Sequence, residues 1–81
     1  SLGVVKGERG LALRMEFIPK NDTVEPGQAV VTAGSEHSIP PDLLIGTIQQ
    51  PSIRAGELFQ NSTVTTSVDV QRLQVVAVVL P

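Results

Sequence analysis

From Leu11 to Phe17 the chain alternates: Leu11, Leu13, Met15 and Phe17 are apolar, with Ala12, Arg14 and Glu16 between them. A period of two belongs to a strand with one face on a core and the other in water. These four side chains are therefore expected to enter one core, joined there by Phe59. The run ends at the turn Pro19-Lys20-Asn21-Asp22. Ala29 to Thr32 predicts a short strand between the Pro26-Gly27 turn and Gly34. Ile39-Pro40-Pro41-Asp42 cannot continue a central ladder, because proline lacks the N–H donor, whereas Leu44 to Gln49 can, with Gly46 as a bulge or a close approach of two chains. Pro51 to Gly56 reads as a connector, and Phe59 to Thr66 as a further strand. Gly3, Gly7 and Gly10 read as bends in an N-terminal strand.

The last third is β-branched as well. Asp69 can accept backbone hydrogen bonds at the start of a single helical turn through Val70, Gln71 and Arg72, after which Leu73 to Leu80 returns to strand composition. In that final run the odd positions Leu73, Val75, Ala77 and Val79 form one apolar face, and the even positions Val76, Val78 and Leu80 form another. Two readings of the second face follow. A strand shared across a small barrel buries both faces internally; alternatively Val76, Val78 and Leu80 are a partner-binding surface. No segment sustains a helical period. The expected fold class is all-β, a small closed or partly open barrel of about six short strands with at most one short helical turn, closed to hide its edges.

The 81 residues allow a single lobe, 1–81, which could equally be one lobe of something larger. With no cysteine, neither a disulfide scaffold nor a thiolate metal site is available. Six basic and eight acidic residues give a formal charge of −2, and the basic ones are scattered, which argues against nucleic acid as a partner. No stretch approaches the ~20 apolar residues of a membrane span.

Candidate chemistry is sparse. His37, beside Glu36 and near Asp42, reads as a solvated loop histidine, since a metal site needs three or four convergent ligands. The serines lack the G-x-S-x-G elbow that activates a hydroxyl. The glycines of the first ten residues lack the Lys-Ser/Thr pair of a phosphate loop. Asn21-Asp22-Thr23 and Asn61-Ser62-Thr63 match a glycosylation pattern too short to carry weight. Paired carboxylates would have to come from Asp22, Glu25, Glu36, Asp42, Glu57 or Asp69, all in predicted turns with no apolar wall beside them. The expectation is a protein with no catalytic residue, metal or cofactor, whose Gly27, Gly34 and Gly46 are structural turn and approach positions.

Two families share parts of this pattern. Arg9-Gly10-Leu11-Ala12-Leu13 resembles the carboxylate-binding loop of PDZ modules, and Val24-Glu25-Pro26-Gly27 with Ala33-Gly34 echoes their middle. Those modules also need a long amphipathic helix beside the peptide groove, where this chain has strand material. The second resemblance runs through the whole chain. Gly10-Leu11 to Phe17, Pro19-Lys20-Asn21-Asp22, Val24 to Gly34, Ile39-Pro40-Pro41-Asp42-Leu43-Leu44-Ile45-Gly46-Thr47-Ile48, Leu58-Phe59-Gln60 and Val68-Asp69 with Arg72-Leu73 are similar, in order and spacing, to the C-terminal part of the extracytoplasmic β domain of the MreC family. Glu36-His37-Ser38 departs from a loop that is often glycine-rich there, and Asp42 stands where a glycine is common after the proline. The resemblance implies that residues 1–81 are a fragment of a larger membrane-anchored protein, a non-enzymatic scaffold of the bacterial wall-elongation machinery on the periplasmic face of the inner membrane. It also implies self-association, and docking to a cell-wall transpeptidase and to the membrane partner MreD.

Overall fold

In the computed structural model, which describes residues 1–8, 13–34, 39–66 and 72–81, the chain forms six strands. They are β1 (Leu2–Glu8), β2 (Leu13–Pro19), β3 (Ala29–Thr32), β4 (Leu44–Ser52), β5 (Phe59–Thr65) and β6 (Arg72–Val79). Their order in space is β1-β2-β5-β4-β3-β6, with β6 paired back onto β1 to close a barrel, and every pairing is antiparallel. No helix occurs among the described residues. Of the predicted helical turn, Asp69, Val70 and Gln71 lie outside the described residues, and Arg72 instead opens β6.

The interior is filled by Val5, Leu13, Met15, Ile18, Val30, Ile45, Ile48, Val64, Ala77 and Val79, with Val24 and Ile39 packed against them. All are aliphatic or methionine, which suits a barrel too narrow for aromatic rings. Gly3 and Gly7 lie within β1, which pairs with β6 in unbroken register, so they are not bends. A Cβ on Gly3 would sit 2.8 Å from the Glu16 carbonyl oxygen and 2.9 Å from Met15 Cε; small size, and not flexibility, is what that position uses.

Phe17 and Phe59 depart from the expected core. The register between β2 and β5 shifts between Met15 and Ile18, and Phe17 sits at φ 61°, a left-handed conformation rare for a bulky residue. This irregularity advances the alternation by one position, so Ile18 is fully buried while Phe17 is 53% exposed. On β5 the inward positions are Gln60, Ser62 and Val64, which leaves Phe59 outside. Two of those inward residues are polar, and both are satisfied. The Gln60 amide donates to the carbonyl oxygens of Pro19 (3.1 Å) and Asp22 (2.6 Å), and Ser62 Oγ donates to the Thr63 carbonyl at 2.8 Å. Leu11, the fourth expected core residue of this run, lies outside the described residues.

Another departure is β4, which runs on through Pro51 to Ser52 where a connector was expected. Its register with β5 shifts between Ile48 and Gln50, and Pro51 follows directly opposite Ser62. Proline is tolerated in a sheet next to a bulge or at a free edge, where no ladder donor is needed. The β4–β5 hairpin ends in the turn Arg54-Ala55-Gly56-Glu57, closed by the Glu57 amide donating to the Arg54 carbonyl at 3.1 Å, with Gly56 at φ 83°.

Candidate functional site

The face of β6 that the sequence left ambiguous is on the outside of the barrel. Ala77 and Val79 point inward and are buried, whereas Val76 is 47% and Leu80 39% exposed and Val78 is half-buried. Internal burial of this second face is therefore excluded. Leu73 and Val75 are not among the residues whose side chains are described.

Cross-strand register extends this face sideways. Leu2 of β1 stands opposite Val78, Val78 opposite Val31 of β3, and Val31 opposite Leu44 of β4. Directly opposed residues share one face of a sheet, so four apolar side chains form a row across four adjacent strands. Val4 opposite Val76 forms a second row beside it. Val31 is buried yet stands apart from the interior cluster, as expected of a residue covered by its neighbours on the outer wall. Leu2 and Leu44 at the ends of the row are 55% and 66% exposed.

The edge of this wall is set by the β3–β4 connection, and Thr32 fastens it. Thr32 Oγ1 donates to the Pro40 carbonyl (2.7 Å) and accepts from the Leu43 amide (3.0 Å). The Thr32 amide donates to the Leu43 carbonyl at 2.9 Å, and the Asp42 amide donates to the Thr32 carbonyl at 2.8 Å. Leu43 and Leu44 are thereby presented beside the wall. Asp42 takes φ 65° to make this corner, the backbone state for which glycine is suited.

The three glycines singled out in the sequence sit at different kinds of position. Gly27 (φ 90°) turns in open space, and its amide donates to the Ile48 carbonyl at 2.8 Å. Gly34 (φ 91°) turns against Pro41, whose atoms would lie 3.1 to 3.3 Å from an added Cβ. Gly46 is buried on β4, where a Cβ would overlap the Thr65 carbonyl oxygen. Each holds the backbone in place.

A second surface feature escaped the sequence reading. Glu16, Phe17, Arg54, Glu57, Phe59, Gln60 and Asn61 line an open hollow of ≈ 220 Å³. It lies on the β2–β5 side, and the strand order places that seam across the barrel from the β6–β3 seam that carries the apolar wall. The residues that reveal it are the chain's two aromatics, but only the bulge at Phe17 and the inward alternation of Gln60, Ser62 and Val64 show that both are outside.

Among the described residues no group of three or more His, Cys, Asp or Glu side chains converges on a point that could hold a metal, and Glu36 and His37 lie outside them. The PDZ-like groove is excluded by the closed sheet, which has no helix beside an open strand edge among the described residues. What these surfaces offer is contact area. No curated protein and no solved structure matches the chain. The family described as "Rod shape-determining protein MreC, barrel core" matches residues 1–80, nearly the whole chain, and the chain therefore belongs to the MreC family of structural, shape-determining proteins.

Proposed function

We propose that this barrel is a scaffold lobe of the bacterial lateral wall-elongation machinery, held at the periplasmic face of the inner membrane in the complete protein. It acts without chemistry, by self-association and by docking peptidoglycan synthesis proteins, a transpeptidase among them, and the membrane partner MreD. The observation that supports this reading is the outer apolar wall of Leu2, Val78, Val31 and Leu44 with Val4, Val76 and Leu80. A contiguous apolar surface rimmed by polar residues is characteristic of the buried centre of a protein interface. A partner that seats on the wall in one of its conformations gains binding energy only in that conformation, which shifts its population toward it.

The test is the double substitution Val76→Lys and Val78→Lys. Both side chains are outside the core, so circular dichroism and thermal melting are expected to match the unmodified protein. Capture of periplasmic transpeptidases from a membrane extract is expected to fall at least tenfold. Undiminished capture by the folded variant would remove the wall from the docking surface.

A further inference from the structure

We propose that the β4–β5 hairpin and the aromatic hollow beside it form an isologous contact between two copies of this chain, the tip of each hairpin lying across the hollow of the other. This rests on the self-association half of the reading above and assigns it a surface distinct from the apolar wall.

Four observations support it. First, both aromatics of the chain are placed outside the barrel, 53% and 45% exposed, at the cost of a left-handed φ at Phe17. Backbone strain of this kind persists where the surrounding structure enforces it, and it clusters at functional surfaces. Second, the two rings form part of a concave hollow that charged and amide side chains otherwise line, with ≈ 220 Å³ open to an entering side chain. Third, the adjoining tip carries Ile53 and Leu58, 53% and 71% exposed, the kind of side chains such a hollow accepts. Fourth, Arg54 and Glu57 line the hollow from the two ends of one turn, and neither side chain has an ion-pair or hydrogen-bond partner among the described residues.

One hairpin therefore holds both halves of a contact: apolar tip and ring-walled hollow, positive end and negative end. In a two-fold arrangement a patch meets itself, so residue i touches j and j touches i. Arg54 of one copy then meets Glu57 of the other, and the reciprocal pair forms at the same time. No other protein is needed to supply the complementary charge. Because a two-fold contact is closed, it stops at a pair of barrels, and the position of the hollow across the barrel from the wall leaves both walls free.

Sedimentation velocity over a concentration series tests this with the intact chain. The mass is expected to rise reversibly from 8.6 kDa toward twice that value. Arg54→Glu and Glu57→Arg are each expected to remain monomeric where the unmodified chain is half associated, because each places like charges face to face. An equimolar mixture of the two is expected to associate again, since the doubly acidic and doubly basic tips now complement each other. Val76→Lys with Val78→Lys is expected to leave this association unchanged. A chain that stays monomeric at millimolar concentration, or single variants that associate as the unmodified chain does, would overturn the proposal. Self-association lost in the wall variant but kept in Arg54→Glu would overturn it too, while leaving scaffold function by the wall intact.

Discussion

The rings of Phe17 and Phe59 meet edge to face outside the barrel, with centroids 5.7 Å apart and planes at 81°. Lys6 Nζ lies 5.9 Å from the centroid of Phe17 and 3.6 Å from Glu16 Oε2, so one cation bridges the Phe17 ring and the neighbouring carboxylate. This cluster decorates the barrel and does not fill it. Phe59→Ala is therefore expected to cost about 0.5–1.5 kcal/mol, the scale of an aromatic pair, in place of the ~3–5 kcal/mol of a core phenylalanine. Met15→Ala, at a fully buried position, is expected to cost about 2–5 kcal/mol and to leave little folded protein. Urea denaturation of the two variants side by side measures the contrast.

How much was legible follows from that pair. The strands were readable because Leu13-Arg14-Met15-Glu16 alternates and Ala29 to Thr32 is bounded by turns. The bulge was not, since Phe17 continues the apolar rhythm that the backbone breaks. The β5 positions depart in the other direction: Ser62 reads as a turn or surface residue, yet it and Gln60 are buried and hydrogen-bonded. Strand order was beyond reach as well, because β2 beside β5 and β3 beside β6 are pairings of segments distant in sequence. At the candidate site, the even face of β6 was recognised as apolar, but its extension through Leu2, Val31 and Leu44 depends on register, which no local pattern encodes.

Asp42 stands exposed at φ 65°, where a side chain brings strain. Asp42→Gly is expected to stabilise the barrel by roughly 0.5–1 kcal/mol, relief of a left-handed residue outweighing the extra chain entropy of glycine. A rise of a few degrees in melting temperature checks it. Asp42→Val, β-branched at the same φ, is expected to lower it.

Thr32 holds the 39–43 segment through both functions of its hydroxyl. Thr32→Val keeps the shape but leaves the Pro40 carbonyl and the Leu43 amide without that partner, at an expected cost of about 1–3 kcal/mol. Amide hydrogen exchange should quicken at Leu43 before it does at the core strands.

Gly46 and Gly27 separate two causes of glycine dependence. Gly46→Ala pushes a methyl group into backbone and is expected to cost ~3 kcal/mol or more, the upper end for overpacking. Gly27→Ala meets nothing within 4 Å, and its cost is the left-handed φ alone, about 1–2 kcal/mol. Thermal melts of the two variants should rank in that order.

The seam between β1 and β6 has a kinetic consequence. Leu2 pairs with Val78 and Glu8 with Arg72, so the first strand is matched along its length by the last. β3 also waits for β6, since Val30, Val31 and Thr32 pair with Val79, Val78 and Ala77. Until the final strand is present, two other strands each lack a neighbour, and closing so long a loop must be achieved before its contacts repay it. Folding is thus deferred to the moment when residues 72–79 become available, whether from a ribosome or a translocation channel. It should then proceed in milliseconds to seconds as one cooperative event, with the unpaired edges of β1 and β3 as the points where a stalled chain would aggregate.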